Sequence, residues 1–250
     1  MGFFSSIFGK KEKFLPPADL SVLGADVHSH FIPGIDDGSK SIEESIELLQ
    51  AMQNLGYKKV ITTPHVMSDY YRNTPEIILG GLEKVREAAQ KNNLSIQIDA
   101  AAEYYLDFDF EEKIKNKTLL TFGNNYVLFE MPFVSEPQTL GRAVFEMQMA
   151  GYKPVLAHVE RYGFWHNNYE KITSMKDKGV LLQLNLNSIT GHYSLPTKKI
   201  AEKLIDENMI DLVGTDCHNI NHIQLLEHCR TFPYLHKIIA KPELINKSLL

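Results

Sequence analysis

The stretch "DVHSHFIPGIDDG", residues 26–38, sets His28 and His30 two apart, then follows them with Asp36 and Asp37. Imidazole and carboxylate at this spacing suit a divalent cation. The pattern recurs along the chain. "TTPH" ends on His65, "AAAE" on Glu103, "LFE" on Glu130 and "LAH" on His158, while "GTDCH" carries Asp216 and His218. Each residue closes an apolar run. With 31 acidic residues and 10 histidines in 250, such a side chain falls at about one position in six by chance. Its presence at the ends of nearly all the apolar runs is well above that rate.

Spacing sharpens the reading. In an extended strand residues i and i+2 share a face, so His28 projects with His30, and Asp216 with His218. Cys217 then points away and is expected as a small packed residue rather than a ligand. Imidazole and carboxylate without thiolate fit manganese, iron or zinc, and argue against a structural zinc site. The candidate ligands are His28, His30, Asp37, His65, Glu103, Glu130, His158, Asp216 and His218, too many for one ion. Four carboxylates in one pocket repel one another unless cations separate them. Two or three ions sharing a bridging carboxylate are therefore expected, and such clusters hydrolyse phosphate esters. Arg161, just past His158, is placed to fork onto a phosphate; an ion pair with Glu160 is the rival role. His222 follows His218 at helical spacing but reads as a polar residue at a helix start. The aromatic loop "SDYYRNTP" after His65 is a candidate wall of the pocket.

These residues need elements to position them. From residue 22 the chain alternates between strand-like and helix-like segments. Strands are expected in "VLGADVHSH", "KKVITTPH", "LSIQIDAAAEYY", "NYVLFEMP", "YKPVLAHVERY", "GVLLQLNLNSI" and "IDLVGTDCH". Helices are expected over 41–55, 75–92, 110–117, 136–149, 166–178 and 196–208, with a helical C-terminal segment. Alternation of this kind builds a parallel sheet, whose sites form at the carboxyl ends of the strands. A closed or nearly closed barrel is the first expectation and an open doubly wound sheet the second. Residues 1–21 read as an N-terminal segment and linker, and 22–250 as one barrel domain with C-terminal helices.

Composition excludes several classes. A net charge of −5 without a basic run disfavours nucleic-acid binding. Two cysteines suit a reducing cytoplasm better than a disulfide scaffold. No stretch reaches the roughly 20 apolar residues of a membrane span. "MGFFSSIFGKKEKF" inverts the order of a secretory signal. It formally fits the myristoylation pattern through Gly2 and Ser6, and reads as an amphipathic segment that packs on the domain or touches a membrane surface. Cysteine-based phosphatase chemistry is excluded too, because it needs an arginine six residues after the cysteine. Positions 223 and 235 are Ile and Leu.

With "DVHSHFIPGIDDG", "TTPH", "FEMP", "LAHVERY" and "GTDCH" in this order, the sequence resembles the PHP (polymerase and histidinol phosphatase) superfamily from about residue 24 to 235. Within it the chain is most similar to the CpsB/YwqE-type bacterial tyrosine phosphatases of capsule and exopolysaccharide synthesis. The resemblance implies a distorted (β/α)7 TIM-like barrel, the PHP fold, holding three metals, often manganese. It implies His28, His30, Glu103 and Asp216 at one metal, Glu103, Glu130 and His158 at a second with Glu103 bridging, and Asp37, His65 and His218 at a third. It assigns the ligand role to Asp37 rather than Asp36, which spacing alone does not decide, and makes Arg161 a phosphate-contacting residue. The implied substrate is a phosphotyrosine protein, the tail of a membrane-linked bacterial tyrosine kinase. The "SDYYRNTP" loop departs from relatives, which bears on substrate preference. A small-molecule phosphatase of the histidinol-phosphate type is the alternative, with a phosphodiesterase and a non-catalytic metal scaffold behind it.

Overall fold

A computed structural model describes residues 13–250; the apolar stretch before them, with Gly2 and Ser6, lies outside the described residues. The strand segments are β1 (Ala25–Asp26), β2 (Lys59–Thr62), β3 (His65–Val66), β4 (Gln97–Ala100), β5 (Glu103–Tyr105), β6 (Tyr126–Glu130), β7 (Lys153–Leu156), β8 (Leu181–Asn185) and β9 (Leu212–Gly214). Between and after them come α1 (Ile42–Asn54), α2 (Pro75–Lys91), α3 (Phe108–Lys115), α4 (Leu140–Met149), α5 (Glu170–Asp177), α6 (Leu195–Asp206), α7 (Ile220–Cys229) and α8 (Pro233–Ile239).

Every pairing between these segments is parallel. They form two runs, β1-β2-β4 and β3-β5-β6-β7-β8-β9, which belong to one curled sheet. Two of the expected seven strands are broken in the middle. Thr62 pairs with Ala100 and His65 with Glu103, so the register holds across the break. The cause is Pro64, which has no N–H to give the ladder; its carbonyl still accepts from Glu103 N. The sheet closes on itself where Ser29 pairs with Cys217. That seam is reinforced by Asp216 N to His28 O at 2.7 Å and His30 N to Cys217 O at 2.9 Å. The barrel expectation holds and the open sheet does not.

Strand parity separates two packed regions. Ala25, Val27, Ile61, Ala101, Leu128, Val155, Ala157 and Leu212 fill the barrel interior, while Val60, Ile98, Val127, Phe129, Leu156 and Leu182 face the helices. Two residues beyond Ala101 and Leu128, on the same face, stand Glu103 and Glu130. The interior is thus apolar below and polar at its mouth, a change made within a single side-chain repeat.

The helices start where caps allow. Ser41, Thr74 and Ser194 cap α1, α2 and α6 through their side-chain oxygens. Asp107 accepts from Asp109 N and Phe110 N at the start of α3, and its other oxygen takes Ser68 N and Oγ, tying the aromatic loop to that helix. Helix α4 begins at Leu140 rather than near 136, and the Glu136 side chain turns instead to Trp165 Nε1 and Lys171 Nζ. Leu15 N and Ala18 N bond to Thr231 O and Arg230 O, so the chain already lies on the body before β1. No helix among the described residues is long and apolar enough to cross a membrane.

Candidate metal centre

All nine candidate ligands converge at the carboxyl end of the barrel. His28 and His30 follow β1, His65 opens β3, Glu103 opens β5, Glu130 ends β6, His158 follows β7, and Asp216 and His218 follow β9. Two arrive on unusual backbone: His158 has φ 32° and Asp216 φ 49°. This left-handed conformation costs a non-glycine residue about 1–2 kcal/mol. It turns both side chains out of strand direction and into the mouth.

Glu103 stands at the centre. Its Oε2 lies 3.1 Å from His28 Nε2, 3.6 Å from His30 Nε2 and 3.2 Å from His65 Nδ1. Its Oε1 lies 3.0 Å from His158 Nε2. One carboxylate therefore faces two groups of imidazoles. Glu130 meets His65 Nδ1 at 3.2 Å and His158 Nε2 at 3.6 Å. Asp216 divides its oxygens: Oδ1 is 3.4 Å from both His28 Nε2 and His30 Nε2, while Oδ2 accepts from Arg161 Nη1 at 2.8 Å and Asn185 Nδ2 at 3.0 Å. Asp37 closes the outer side, 3.6 Å from His65 Nε2 and 3.4 Å from His218 Nε2. The donor atoms fall into four overlapping groups: His30–Asp37–His65–His218, His28–His30–Asp216, His28–Glu103–His158 and His65–Glu103–Glu130.

These groups fit divalent ions. His28 Nε2, His30 Nε2, His65 Nδ1 and Glu103 Oε2 are buried without a hydrogen-bond partner, an arrangement that costs stability unless something else satisfies them. With bonds of about 2.1 Å, neighbouring ligands of one ion stand roughly 3.0–3.4 Å apart. The spacings of Glu103 to His28, His65 and His158 fall in that span, and the one to His30, 3.6 Å, lies just outside it. The supporting bonds leave the inward nitrogens free: His28 Nδ1 meets Gln183 Oε1 at 3.1 Å and His30 Nδ1 meets Asp36 Oδ2 at 2.8 Å. Partners of this kind fix tautomer and ring orientation in metal sites.

Protonation in the metal-free chain follows from the same contacts. Burial opposes a charge on His28, yet the carboxylates of Glu103 and Asp216 push its pKa up to about 9. His65, likewise buried, is raised to about 10 by Glu103 and Glu130. His218 is raised to about 9 by Asp37 and Asp216 against its burial. Asp37 falls to about 2, chiefly through its hydrogen bond with His218. Burial would raise Glu103 and Asp216, but the facing histidines hold both well below the usual carboxylate range. Burial and the nearby Arg161 cation lower His158.

Asp36 and Asp37, adjacent in sequence, play different parts. The Asp36 side chain is buried and spent on His30 Nδ1, His65 N and Gly38 N. Asp37 is half-exposed and faces the two outer histidines. Gly38 is needed for this turn: a Cβ there would stand 2.2 Å from His30 O.

A cavity of about 570 Å³ opens over the cluster, walled by Tyr71, Tyr105, Phe133, Arg161, Tyr193 and His222 among others. Tyr71, from the expected aromatic loop, stacks on His65 at 5.6 Å. Arg161 reaches the cavity and pairs with Asp216, not Glu160. The Glu160 carboxylate turns inward to Ser188 Oγ and Asn185 N. His222, third in α7, is held by Asp216 O and His218 N. Cys217 and Cys229 are buried, which pushes both thiols up and leaves them unreactive. Asn185 stands at the one expected strand end without an ionic ligand; Gln183, Phe133 and Tyr193 are not among the residues the sequence singles out. The side-chain alternation of β8 offers a signal for Gln183 and Asn185, two apart on one strand; nothing local marks Phe133 or Tyr193.

A family model described as "Capsular polysaccharide synthesis, CpsB/CapC" matches residues 24–238. Tyrosine-protein phosphatase YwqE of Bacillus subtilis (strain 168) is 27% identical over 196 residues, covering 78% of this chain and 77% of that protein. Tyrosine-protein phosphatase CpsB of Streptococcus agalactiae serotype V is 29% identical over 202 residues, covering 78% and 83%. Among solved structures, that of YwqE from Bacillus subtilis and CpsB from Streptococcus pneumoniae, described as unique metal-dependent tyrosine phosphatases, superposes with a TM-score of 0.77 at 24% identity, covering 90% of this chain and 94% of that one. An amidohydrolase from Mycoplasma synoviae follows at 0.52 and 14% identity, covering 96% and 90%. These structural likenesses establish the shared fold.

Proposed function

Because the chain belongs to the CpsB/CapC family of capsular polysaccharide synthesis, we propose that it is a metal-dependent phosphomonoesterase that dephosphorylates protein phosphotyrosine. The observation that carries this reading is the set of orphaned, buried donor atoms around Glu103 beneath an aromatic-walled cavity that also holds an arginine. The curated relatives named as tyrosine-protein phosphatases point the same way.

The residues are proposed to hold two or three divalent ions, manganese first, with iron or zinc as alternatives. His28, His30, Glu103 and Asp216 serve one position. Glu103, Glu130 and His158 serve the second, and Asp37, His65 and His218 the third. The contacts favour Glu103 as the shared ligand, since its two oxygens face different imidazoles. Bound ions would supply a water of lowered pKa and positive charge for the attacking and leaving oxygens.

The chain does the rest. Asp36 and Gln183 meet His30 and His28 at Nδ1 and so aim the Nε2 atoms at the position the ions would take. Arg161, tied through Nη1 to Asp216, offers its remaining N–H groups to the non-bridging phosphate oxygens. The phenolate leaving group, with a pKa near ~10, needs little protonation to depart. The cavity admits a side chain, so the substrate's backbone stays on the rim. The tail of a membrane-linked tyrosine kinase at the cytoplasmic face is the proposed partner.

Turnover decides the reading. Metal-stripped protein reloaded in turn with manganese, iron and zinc should hydrolyse a phosphotyrosine peptide in preference to histidinol phosphate. The reverse preference would reassign it to the small-molecule phosphatases.

A further inference from the structure

Arg161 is flanked by two rings. Its guanidinium carbon lies 4.8 Å from the centre of Phe133 and 4.2 Å from that of Tyr193. Tyr193 is anchored: its hydroxyl accepts from Asn185 Nδ2, which also donates to Asp216 Oδ2, the atom that receives Arg161 Nη1. Arginine, carboxylate, amide and phenol thus form a closed loop that fixes the guanidinium.

Phe133 is placed differently. One side packs on His158 at 5.5 Å and on Tyr162 at 5.5 Å. Yet 45% of the residue stays exposed, more than Tyr71, Tyr105 or Tyr193 of the same cavity wall. No polar group ties it. A phosphate held by Arg161, whose guanidinium lies 4.8 Å from this ring, would bring its organic group within reach of it. An aryl group can lie in offset contact with it, while an alkyl group lacks the matching face.

Resting on the phosphatase reading above, we infer that Phe133 selects aryl over alkyl phosphates and that Tyr193 is the positioning residue for Arg161. The two rings then differ in what their loss does. Losing Phe133 changes the ratio between ligand classes. Losing Tyr193 weakens every phosphate ligand alike, because the misplaced group is the arginine they share.

Competitive inhibition separates the roles without depending on the leaving group. Phenylphosphonate and propylphosphonate are titrated against phosphotyrosine-peptide turnover by the metal-loaded protein. Phe133→Ala should cut the preference for the phenyl compound roughly three- to tenfold. Phe133→Leu, which keeps apolar packing on Tyr162, should cut it as well. Tyr193→Leu should weaken both inhibitors by the same factor and lower kcat, and Tyr193→Phe, which keeps the ring over Arg161 but loses the bond to Asn185, should fall between Tyr193→Leu and wild type in both. An unchanged preference in the two Phe133 variants overturns the inference, as does a Tyr193→Leu effect confined to the phenyl compound. Loss of bound metal in any variant, read by elemental analysis, overturns it too, since the ring would then be supporting the cluster. A wild-type protein inactive on the peptide but active on histidinol phosphate instead overturns the phosphatase reading, a separate result.

Discussion

The barrel has a cavity at each end, and the two handle charge in opposite ways. Near the amino ends of β2 and β4 a space of about 440 Å³ is lined by Lys59, Arg86 and Asp99 among apolar neighbours. Every charge there has a partner. Lys59 meets Asp99 at 2.7 Å, and Arg86 meets Asp99, Glu83 and Ile98 O at 2.6, 2.7 and 2.9 Å. At the mouth, buried atoms of His28, His30, His65, Glu103 and His158 face one another without a hydrogen bond. Folding alone completes the lower network, whereas the upper one is complete only with something the chain does not supply. Charge density therefore does not identify a site; several unsatisfied buried imidazole and carboxylate atoms gathered in one place do.

The strongest way to break this contrast is to change one carboxylate at each end. Glu103→Gln should empty the cluster and lower turnover by at least roughly a thousandfold, since it removes the charge shared between ions. Elemental analysis and kinetics read it out, and retained metal would remove Glu103 from the centre. Arg161→Ala should keep its metal and lose about a hundred- to a thousandfold in turnover, the effect of removing one transition-state donor. Arg161→Lys should recover little, because a point charge does not reproduce the fork.

Asp36 and Asp37 sharpen the comparison within the mouth. Asp37→Ala should reduce turnover more than Asp36→Asn while leaving the melting temperature near wild type. Asp36→Asn should weaken metal affinity about 10–100-fold through His30. A reversed order would move the ligand role to Asp36.

Protons test the idea at smaller amplitude. The raised pKa values of His28, His65 and His218 mean that the metal-free folded chain binds protons the unfolded chain releases above about pH 6.5. That contribution is fully present below pH 6.5 and is lost as pH rises through 9 to 10. Chelator-treated protein should therefore melt a few degrees lower at pH 9.5 than at pH 7, about 2–4 °C for each kcal/mol lost. The metal-loaded protein should not follow it, and metal affinity should rise over the same range. Least affected of all should be the lower network: Asp99→Asn is expected to cost under about 1 kcal/mol, as for other partly exposed ion pairs, with turnover unchanged.

The architecture was legible because parallel strands and helices carry different periods, and ligands at strand ends stand out against apolar runs. What sequence left open was set by contacts at long range. Gln183 meets His28 across most of the chain. The choice between Asp36 and Asp37 depends on a tight turn at Gly38, where strand alternation says nothing. Pro64 marked the broken strands in plain view, but Ala101 and Ala102 break only because they run beside it. The place of Arg161 just past His158 is plain in the sequence, while the rings that flank it come from two other loops.

The seam where Ser29 meets Cys217 ties completion of the centre to the last strand of the chain. The two edges of the barrel are joined by the same short segments that carry His28, His30, Asp216 and His218. A chain emerging from the ribosome presents its first two histidines early and holds them without most of their partners until the last strand arrives. The pocket forms when the cylinder shuts, so a truncated or stalled product carries the recognisable N-terminal motif but not the finished centre.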